Sequence, residues 1–339
     1  MRKLEIGKNE AGQRMDKYLK KYLKEAGSGF LYKMIRKKNI LLNDKKAEGK
    51  EMLQQGDTIT LYLAEETIEK FRGAQDTAVM IPQKKSVKLD IIYEDEDFLI
   101  LNKPAGMLSQ KAGAKDISMV EYLIEYLVTT NQITQEELRT FHPSVCNRLD
   151  RNTSGLILAG KTLTGLQSFS QMLKERSMKK YYLALVKGNI TKKQHCKAYL
   201  WKDAKTNQVR ILQQPKKDAE FIETAYEPLW NGKDCTLLKV DLITGKSHQI
   251  RAHLASLGYP LAGDPKYGNK SWNKQLQEMT GLKRQFLHAW LVEFPNDSKR
   301  LSALADKKLF APLPSDLENV VVALHGKTVL EKIASSAEK

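Results

Sequence analysis

The chain has 339 residues, of which 41% are hydrophobic, and its formal net charge is +16. This composition suits one large domain with a smaller one, and the charge favours a polyanionic partner, nucleic acid before a membrane surface. No apolar run approaches the roughly 18 residues that cross a bilayer, and the charged residues at 1–5 lead us to expect no secretory signal. The three cysteines, Cys146, Cys196 and Cys235, are too widely spaced for a disulfide framework or a zinc site. We therefore expect a cytoplasmic protein that binds no metal.

The first sixty-odd residues are predicted to form a separate module. Apolar residues at helical spacing predict helices at 13–23 and 30–38, the second of which ends in a basic cluster. Short strands are predicted at 39–45 and 58–63. Residues 1–63 contain 15 lysines and arginines against 8 acidic residues. This concentration of positive charge favours contact with nucleic-acid phosphates over an ordinary solvated helix face.

The order of these elements resembles a known module. The pattern R-x-D-K-x-L begins at Arg14, and I-R-K lies near the end of the second helix. Together they resemble the small RNA-binding domain of ribosomal protein S-four, which we place at residues 12–63. The resemblance implies that four basic residues face RNA: Arg14, Arg36, Lys37 and Lys38. Residues 64–87 lose periodicity and are interpreted as a linker with little fixed structure, long enough to let the two modules move.

A mixed α/β pattern begins at residue 88. Two short strands lead into Asn-Lys-Pro-Ala-Gly at 102–106, where Pro104 restricts the backbone and Gly106 permits a turn. Lys103 in this turn is equally consistent with a phosphate ligand and with a surface lysine beside a strand end. Several later strands follow one another without regular intervening helices. They favour an α+β protein with a mixed, mostly antiparallel sheet over a doubly wound parallel fold.

A carboxylate between two arginines marks the stretch Cys-Asn-Arg-Leu-Asp-Arg-Asn-Thr-Ser-Gly-Leu at 146–156. Its polar half is typical of a turn, and the apolar residues that follow predict a buried strand. The two arginines favour the ionised form of Asp150. Taken alone, the pattern indicates a structural ion pair at least as well as a catalytic group.

Two adjacent tyrosines lie in Lys-Lys-Tyr-Tyr-Leu-Ala-Leu-Val-Lys-Gly at 179–188. Because side chains alternate along a strand, Tyr182 shares a face with Ala184 and Val186, whereas Tyr181 points the other way. The two tyrosines therefore cannot both line one pocket. Packing in the core is the alternative interpretation for either of them.

A further motif, Thr-Gly-Lys-Ser-His-Gln-Ile-Arg-Ala-His-Leu, spans 244–254. Its helical spacing places His248 and Arg251 on one face, while His248 and His253 do not align as metal ligands. The chain has no glycine-rich phosphate-binding motif. A single carboxylate among arginines and tyrosines suits cofactor-independent chemistry on a nucleotide that is flipped out of structured RNA or DNA.

Four ordered motifs, at 102–106, 147–156, 180–188 and 244–254, resemble those of the RluA family of pseudouridine synthases over residues 88–314. The resemblance implies isomerisation of uridine to pseudouridine, without a cofactor, in large-subunit ribosomal RNA. It identifies Asp150 as the catalytic aspartate, which either attacks the anomeric carbon or removes the 2′ proton. Tyr182 would stack on the base and take part in removing the proton from carbon 5, and Arg251 would pair with Asp150.

Further substrate contacts are assigned to residues within these motifs: Arg148, Lys103, Thr153, His248 and Gln249. The family usually has histidine where this chain has Asn147, which we expect to change loop packing or an RNA contact but not the activity. Residues 315–339 are interpreted as a tail that forms an amphipathic helix without chemistry. We expect a monomer.

Three alternatives remain at this point. The same reaction could act on transfer RNA. The chain could be a non-catalytic RNA-binding factor in ribosome assembly that keeps only the scaffold, although the joint presence of Asp150, Tyr182 and Arg251 favours an enzyme. A DNA-repair glycosylase would need a group that activates water, and the sequence offers none.

Overall fold

The computed structural model describes residues 1–73, 88–203 and 208–338. Within these ranges the strands form one four-stranded and one eleven-stranded sheet. In chain order the strands are β1 Arg2–Glu5, β2 Ile40–Leu42, β3 Lys45–Lys46, β4 Thr58–Leu61, β5 Ile91–Glu94, β6 Phe98–Lys103, β7 Ser144–Val145, β8 Ser154–Gly160, β9 Lys179–Lys187, β10 Gln194–Asp203, β11 Gln208–Leu212, β12 Ala219–Asn231, β13 Cys235–Leu242, β14 Leu287–Glu293 and β15 Lys308–Phe310. The α-helices are α1 Met15–Tyr22, α2 Ser28–Arg36, α3 Glu65–Arg72, α4 Met119–Thr129, α5 Leu163–Glu175, α6 Gln249–Ser256, α7 Lys270–Thr280, α8 Ser298–Leu301, α9 Ser315–His325 and α10 Lys327–Glu338.

The N-terminal unit packs α1 and α2 against the small sheet, whose strand order is β1-β4-β2-β3. The amphipathic faces of both helices are buried in one core, in which Leu19, Ile35 and Ile59 are nearly or fully inaccessible to solvent. The two predicted helices are therefore present. Strand β1, which precedes the predicted start at residue 12, is also part of the unit, because Leu4 pairs with Ile59 on β4.

The start of the predicted linker is a helix. Ile68 of α3 is fully buried in the N-terminal core, and the ring centroid of Phe71 lies 4.4 Å from that of Phe30. These two apolar residues are three apart, so one helical face can cover the core. The prediction of a segment without fixed structure is thus wrong for residues 65–72, and residues 74–87 lie outside the described part of the chain.

Polar contacts join the N-terminal unit to the rest of the chain. The Thr140 hydroxyl donates to Glu10 at 2.7 Å, and Lys8 lies 3.0 Å from the Asp97 carboxylate. Hydrogen bonding to Asp97 raises the pKa of Lys8 above its ordinary value. These contacts define one arrangement of the two units.

The large sheet has the strand order β11-β10-β12-β13-β9-β14-β8-β6-β5, with β7 on β8 and β15 on β14. Its neighbours are antiparallel except β14 and β8, which are parallel, so the predicted mixed, mostly antiparallel sheet is confirmed. Side chains alternate along β9 as predicted. Tyr182 and Ala184 belong to the core on one face of the sheet, and Leu183 and Leu185 belong to the core on the other.

The C-terminal segment forms two helices that are part of the core. Leu317, Val320 and Val321 of α9 are fully buried and belong to the same apolar cluster as Trp290 on β14. The helical prediction is correct for residues 315–325 and 327–338, but the interpretation as a tail is not, because the apolar stripe covers one face of the sheet. Among the described residues, no helix is long and apolar enough to cross a membrane.

Candidate active site

An ion pair lies at the base of a cleft beside the centre of the large sheet. Arg251 Nη1 on α6 donates to Asp150 Oδ2 at 2.7 Å, so the predicted pairing is present. The Arg251 side chain is 7% exposed and that of Asp150 is 24% exposed. Within the described part of the chain, Asp150 Oδ1 accepts no hydrogen bond from the protein. One carboxylate oxygen is therefore held in place and the other is free for a ligand.

A second carboxylate, Asp264, holds the opposite edge of the same guanidinium. Arg251 Nε and Nη2 donate to its two oxygens at 2.7 and 3.0 Å, and Asp264 is almost completely buried. Burial opposes the charge on Arg251, but hydrogen bonds and charges from Asp264 and then Asp150 outweigh it and raise the pKa of Arg251. Sequence reasoning missed Asp264, although a buried carboxylate needs such a cationic partner.

Tyr267 connects the start of α6 to strand β11. The Arg251 guanidinium lies 5.3 Å from its ring centroid, and its hydroxyl lies 3.0 Å from His248 Nδ1. The same hydroxyl accepts a hydrogen bond from the Val209 backbone at 3.2 Å. His248 itself lines the cleft in a left-handed backbone conformation, and burial lowers its pKa. Near neutral pH the cleft therefore presents an uncharged imidazole at this point.

The turn that carries Asp150 rests on the turn at Pro104–Gly106. Thr153 N donates to Asp150 O at 2.9 Å and closes the first turn. Gly106 N donates to Arg151 O at 2.8 Å, and Arg151 Nε returns a hydrogen bond to Gly106 O at 3.0 Å. Two of the four sequence motifs are thus in direct contact through their backbones.

Lys103 lies inside this contact and not in the cleft. Its side chain is fully buried, and Nζ donates to the carbonyl oxygens of Pro104, Met107 and Arg151 at 2.9, 2.9 and 3.1 Å. Burial, followed by repulsion from Arg284, lowers the pKa of Lys103 to about 7. The assignment of Lys103 as a substrate contact is therefore corrected. It joins the two turns, because its three acceptors come from both of them.

Gln249 lines the cleft, but its amide is fully occupied by protein partners. Nε2 donates to Glu223 O at 3.0 Å and to Thr224 Oγ1 at 2.9 Å. Its Oε1 accepts from the Thr244 hydroxyl and the Lys246 backbone at 2.9 and 3.1 Å. This geometry corrects the assignment of Gln249 as a substrate contact, because the residue holds the loop before α6 against β12.

Thr153 also lines the cleft while its hydroxyl is engaged. Its Oγ1 accepts from Gln285 Nε2 at 3.3 Å, and the residue is 2% exposed. The hydroxyl proton is left for a further partner, since a hydroxyl both donates and accepts. The assignment of Thr153 as a substrate contact is compatible with this position.

Tyr182 forms part of the cleft wall next to the ion pair. The cleft has a volume of about 950 Å³ and is lined by Asp150, Tyr182 and Leu287 among others. The Tyr182 ring is buried, and its hydroxyl makes no hydrogen bond within the described residues. Burial and then the Asp150 charge raise the pKa of Tyr182, so the side chain is a neutral phenol at physiological pH.

The lining of the cleft is strongly basic. Among the described residues that line it, Asp150 is the sole carboxylate, whereas nine lysines and arginines take part: Lys111, Arg148, Arg151, Lys174, Arg176, Lys180, Lys202, Lys246 and Arg251. Arg148 is exposed there, as its assignment to substrate contact requires. Such a cleft attracts a polyanion and repels acidic ligands.

Asn147 is hydrogen-bonded to the middle of β8. Its Oδ1 accepts from Leu158 N at 2.7 Å, and its Nδ2 donates to Leu156 O at 3.3 Å. The amide therefore mimics a neighbouring strand at this point. Asparagine in place of the histidine expected from the family resemblance therefore concerns the packing of this segment against β8.

The basic residues predicted to face RNA lie on the surface of the N-terminal unit. Arg36, Lys37 and Lys38 are exposed at the end of α2. Arg14 is partly exposed and makes two hydrogen bonds to the Asp16 carboxylate, at 3.0 and 2.7 Å. Three of the four are therefore open to an external phosphate, and the fourth is already paired.

The described residues contain no cluster of three or more histidine, cysteine or acidic side chains that could hold a metal ion. His248 and His253, the two histidines considered for this purpose, have separate partners. His248 contacts Tyr267, and His253 Nδ1 lies 3.1 Å from Thr224 Oγ1.

Comparisons with known proteins agree with this arrangement. The family model described as RNA pseudouridylate synthase matches residues 97–256, a range that contains Asp150, Tyr182 and Arg251. The ribosomal large subunit pseudouridine synthase C of Pasteurella multocida is 31% identical over 336 residues, covering 95% of this chain and 93% of its own. The protein of the same name from Salmonella typhi is 32% identical over 313 residues, covering 90% and 93%.

Solved structures show the same fold. The human RNA Pseudouridylate Synthase Domain Containing 4 superposes with a TM-score of 0.55 at 19% identity, covering 69% of this chain and 92% of its own. The human RNA Pseudouridylate Synthase Domain Containing 1 gives a TM-score of 0.53 at 20% identity, covering 75% and 96%. The similarity to the bacterial enzymes extends over nearly the whole sequence. The chain therefore belongs to the RNA pseudouridylate synthase family and is a pseudouridine synthase.

Proposed function

We propose that this protein isomerises specific uridines of large-subunit ribosomal RNA to pseudouridine, with Asp150 as the catalytic aspartate. The observation that carries the proposal is the ion pair of Arg251 with Asp150 at the base of the basic cleft. Asp150 is the sole carboxylate among the described lining residues, and one of its oxygens is free. The proposal of ribosomal RNA rests on the names of the bacterial relatives, which are ribosomal large subunit enzymes.

The reaction exchanges one bond of the nucleotide for another. The bond between C1′ and N1 breaks, the uracil turns, and a bond between C1′ and C5 forms. C5 then loses its proton to solvent and N1 is left protonated, so no oxidant or cofactor is consumed. Asp150 can serve by attacking C1′ or by removing the 2′ proton. Both roles need a carboxylate with a free oxygen, and Asp150 Oδ1 accepts no hydrogen bond within the described residues.

Tyr182 is assigned to the uracil ring. A target base must leave the RNA stack to reach the cleft, and a flat aromatic wall compensates for the stacking that is lost. Because the pKa of Tyr182 is raised by burial, it enters the reaction as a neutral phenol. Its hydroxyl can take up the C5 proton only while passing its own proton on, so we assign it stacking first and proton relay second.

The exposed basic residues of the cleft lining are assigned to contacts with the RNA backbone. Arg148 is exposed at the mouth of the cleft and would contact a phosphate beside the target nucleotide. The N-terminal unit, predicted from residues 12–63 as an S-four-like domain, would add a second contact through Arg36, Lys37 and Lys38. Phosphate contacts of this kind position an RNA without reading its sequence.

Tritium release provides the test. Large-subunit ribosomal RNA and transfer RNA, both transcribed with uridine labelled at C5, are incubated with the protein. We expect tritium release from the ribosomal RNA and its complete loss in Asp150→Asn. The matched control is Asp234→Asn, which alters an exposed aspartate outside the cleft lining in the same way.

The other outcomes separate the alternatives. Release from transfer RNA alone would replace the proposed substrate. Tight RNA binding without any release would favour the non-catalytic assembly factor. Release that persists in Asp150→Asn would remove Asp150 from the catalytic role. Mapping of pseudouridines in cells that lack the protein would then identify the modified position by its disappearance.

A further inference from the structure

A buried polar network lies behind the turn that carries Asp150, outside the cleft. Its centre is Arg284, which precedes β14 and whose side chain is 9% exposed. Nε and Nη2 donate to the Asp316 carboxylate on α9 at 2.6 and 3.0 Å. Nη1 donates to Asn152 O at 3.0 Å, and Nη2 also reaches Ser154 Oγ at 3.3 Å. One guanidinium thus links α9 to Asn152 and Ser154 of the turn.

The network continues through Ser154 to His288. Ser154 Oγ lies 2.9 Å from His288 Nδ1, and His288 Nε2 lies 3.1 Å from Ala311 O. A carbonyl oxygen only accepts, so the imidazole proton is on Nε2 and Nδ1 accepts from the Ser154 hydroxyl. Burial lowers the pKa of His288 to about 4, in agreement with a neutral ring. The hydrogen bonds from Arg284 to Ser154, from Ser154 to His288 and from His288 to Ala311 therefore all have an assigned donor and acceptor.

We propose that Arg284, anchored by Asp316, is a positioning residue that fixes the turn carrying Asp150 for the isomerisation proposed above. Asn152 is two residues from Asp150, and the turn consists of small polar residues that have many conformations of similar energy. A planar guanidinium whose other edge is held by a carboxylate cannot rotate, so its Nη1 fixes the direction of the Asn152 carbonyl. Arg284 does not line the cleft and contacts no substrate there.

The exposure of Asp316 argues against a purely stabilising role for the pair. Its side chain is 47% exposed, and ion pairs with a solvated partner contribute little to the free energy of unfolding. Placing an arginine beneath a turn costs desolvation, and the structure gains in return four fixed hydrogen bonds, two to Asp316 and one each to Asn152 and Ser154. The larger effect of losing the anchor should therefore fall on the geometry of Asp150.

The first test uses Arg284→Lys, Asp316→Asn and the double variant in single-turnover assays with ribosomal RNA. Lysine keeps the positive charge but lacks the planar group that donates several hydrogen bonds in a fixed geometry. We therefore expect a single-turnover rate about 10- to 100-fold below that of the wild type. Asp316→Asn should lower it by about 3- to 10-fold. Since both changes act through one contact, the double variant should be about as slow as Arg284→Lys alone. RNA dissociation constants should stay within about threefold of wild type.

Two further variants serve as controls. Arg300→Lys alters an arginine that pairs with Asp297 and Glu175 on the surface, outside the cleft lining, and should leave the rate unchanged. Asp316→Glu keeps the carboxylate and should restore most of the rate lost in Asp316→Asn. If Arg284→Lys does not fold, the comparison of Asp316→Asn with Asp316→Glu decides the matter.

A second readout is independent of activity. Exchange of the Thr153 amide proton, which is bonded to Asp150 O, should be faster in Asp316→Asn than in wild type at equal global stability. An inactive wild-type protein would count against the proposed function, while this exchange measurement would still decide the role of Arg284. Unchanged rates and unchanged Thr153 exchange with only a lower melting temperature would overturn the positioning role, as would additive effects in the double variant.

Discussion

At the scale of single residues, the orientation of Arg251 depends on Asp264 as much as on Asp150. We expect Asp264→Asn to lower the single-turnover rate about 10- to 100-fold, because the Arg251 guanidinium loses the carboxylate contact that orients it towards Asp150. The free energy of unfolding should fall by about 3 kcal/mol, since the buried arginine loses its buried partner. Rate measurements and urea unfolding test both effects.

The control for this prediction is Asp297→Asn, which breaks an arginine pair on the surface. It should change neither the rate nor the stability appreciably. A folded Asp264→Asn variant with the wild-type rate would contradict the role given to Asp264.

Lys103 gives a prediction on pH. Its folded-state pKa is about 7 against an ordinary 10.5, so between these values the unfolded chain binds more protons at this site. Linkage then makes the wild-type protein more stable as pH rises, by up to about 1.4 kcal/mol per pH unit. The difference in unfolding free energy between wild type and Lys103→Met should therefore increase between about pH 7 and pH 10. Urea titrations across this window measure it.

The hydrogen-bond acceptors around Lys103 determine what the opposite result would mean. A neutral amine has two N–H groups, whereas Lys103 has three carbonyl acceptors. A difference that does not change with pH would show that these acceptors keep the ammonium protonated throughout the window.

Sequence reasoning predicted a contact between single residues correctly where the residue and its partner both lie in motifs. The contact of Arg251 with Asp150 was predicted in this way. It failed for Lys103 and Gln249, whose partners are backbone groups brought close only by the fold. It also missed Arg284, because nothing near residue 284 in the sequence indicates that Asn152 and Asp316 would meet there.

At the scale of elements, the contact between β8 and β14 sets the position of the turn that carries Asp150. Gly155 has a φ of 111°, and a Cβ at this position would lie 2.1 Å from Ala289 O. We expect Gly155→Ala to destabilise the protein by about 3 kcal/mol or more and to reduce the isomerisation rate. Urea unfolding and tritium release provide the measurements.

Gly245→Ala is the matched control, because a Cβ there would meet no heavy atom within 4 Å. It should leave the free energy of unfolding nearly unchanged. Equal losses in the two variants would mean that the close approach of β8 and β14 is unimportant.

Hydrophobic periodicity was informative for elements whose side chains divide into distinct faces. It predicted the helices of the N-terminal unit and the alternation along β9. It missed α3, whose residues were interpreted as part of a linker. The burial of α9 was not predicted either, because a short amphipathic helix at a domain edge has the same pattern whether it covers a core or lies on the surface. Ile68 and Val320 became informative only when their neighbours were known.

At the scale of the whole molecule, the basic N-terminal unit and the basic cleft are expected to bind one RNA together. Replacing Arg36, Lys37 and Lys38 with alanine should weaken RNA binding and reduce the slope of log affinity against log salt by about two to three. The rate at saturating RNA should change little, because these residues are not in the cleft lining. Filter binding over a salt series measures the slope.

The control replaces Lys233, Lys283 and Lys327, three exposed lysines of the larger unit outside the cleft lining. It removes the same net charge and should leave the slope nearly unchanged. Equal slopes in the two triple variants would show that the N-terminal cluster acts only through its charge and makes no local contact with phosphates.

The position of β14 has a consequence for synthesis of the protein. The strand lies between β9 and β8, although both precede it in the chain. A growing chain on the ribosome therefore carries Asp150 long before the strand that supports its turn exists. Arg251 and Arg284 are also synthesised after Asp150, and Asp316 on α9 is synthesised after β14, so the contacts that hold the Asp150 turn form only when all of these segments are present. We therefore expect a nascent chain that still lacks β14 to be inactive on the ribosomal RNA beside it.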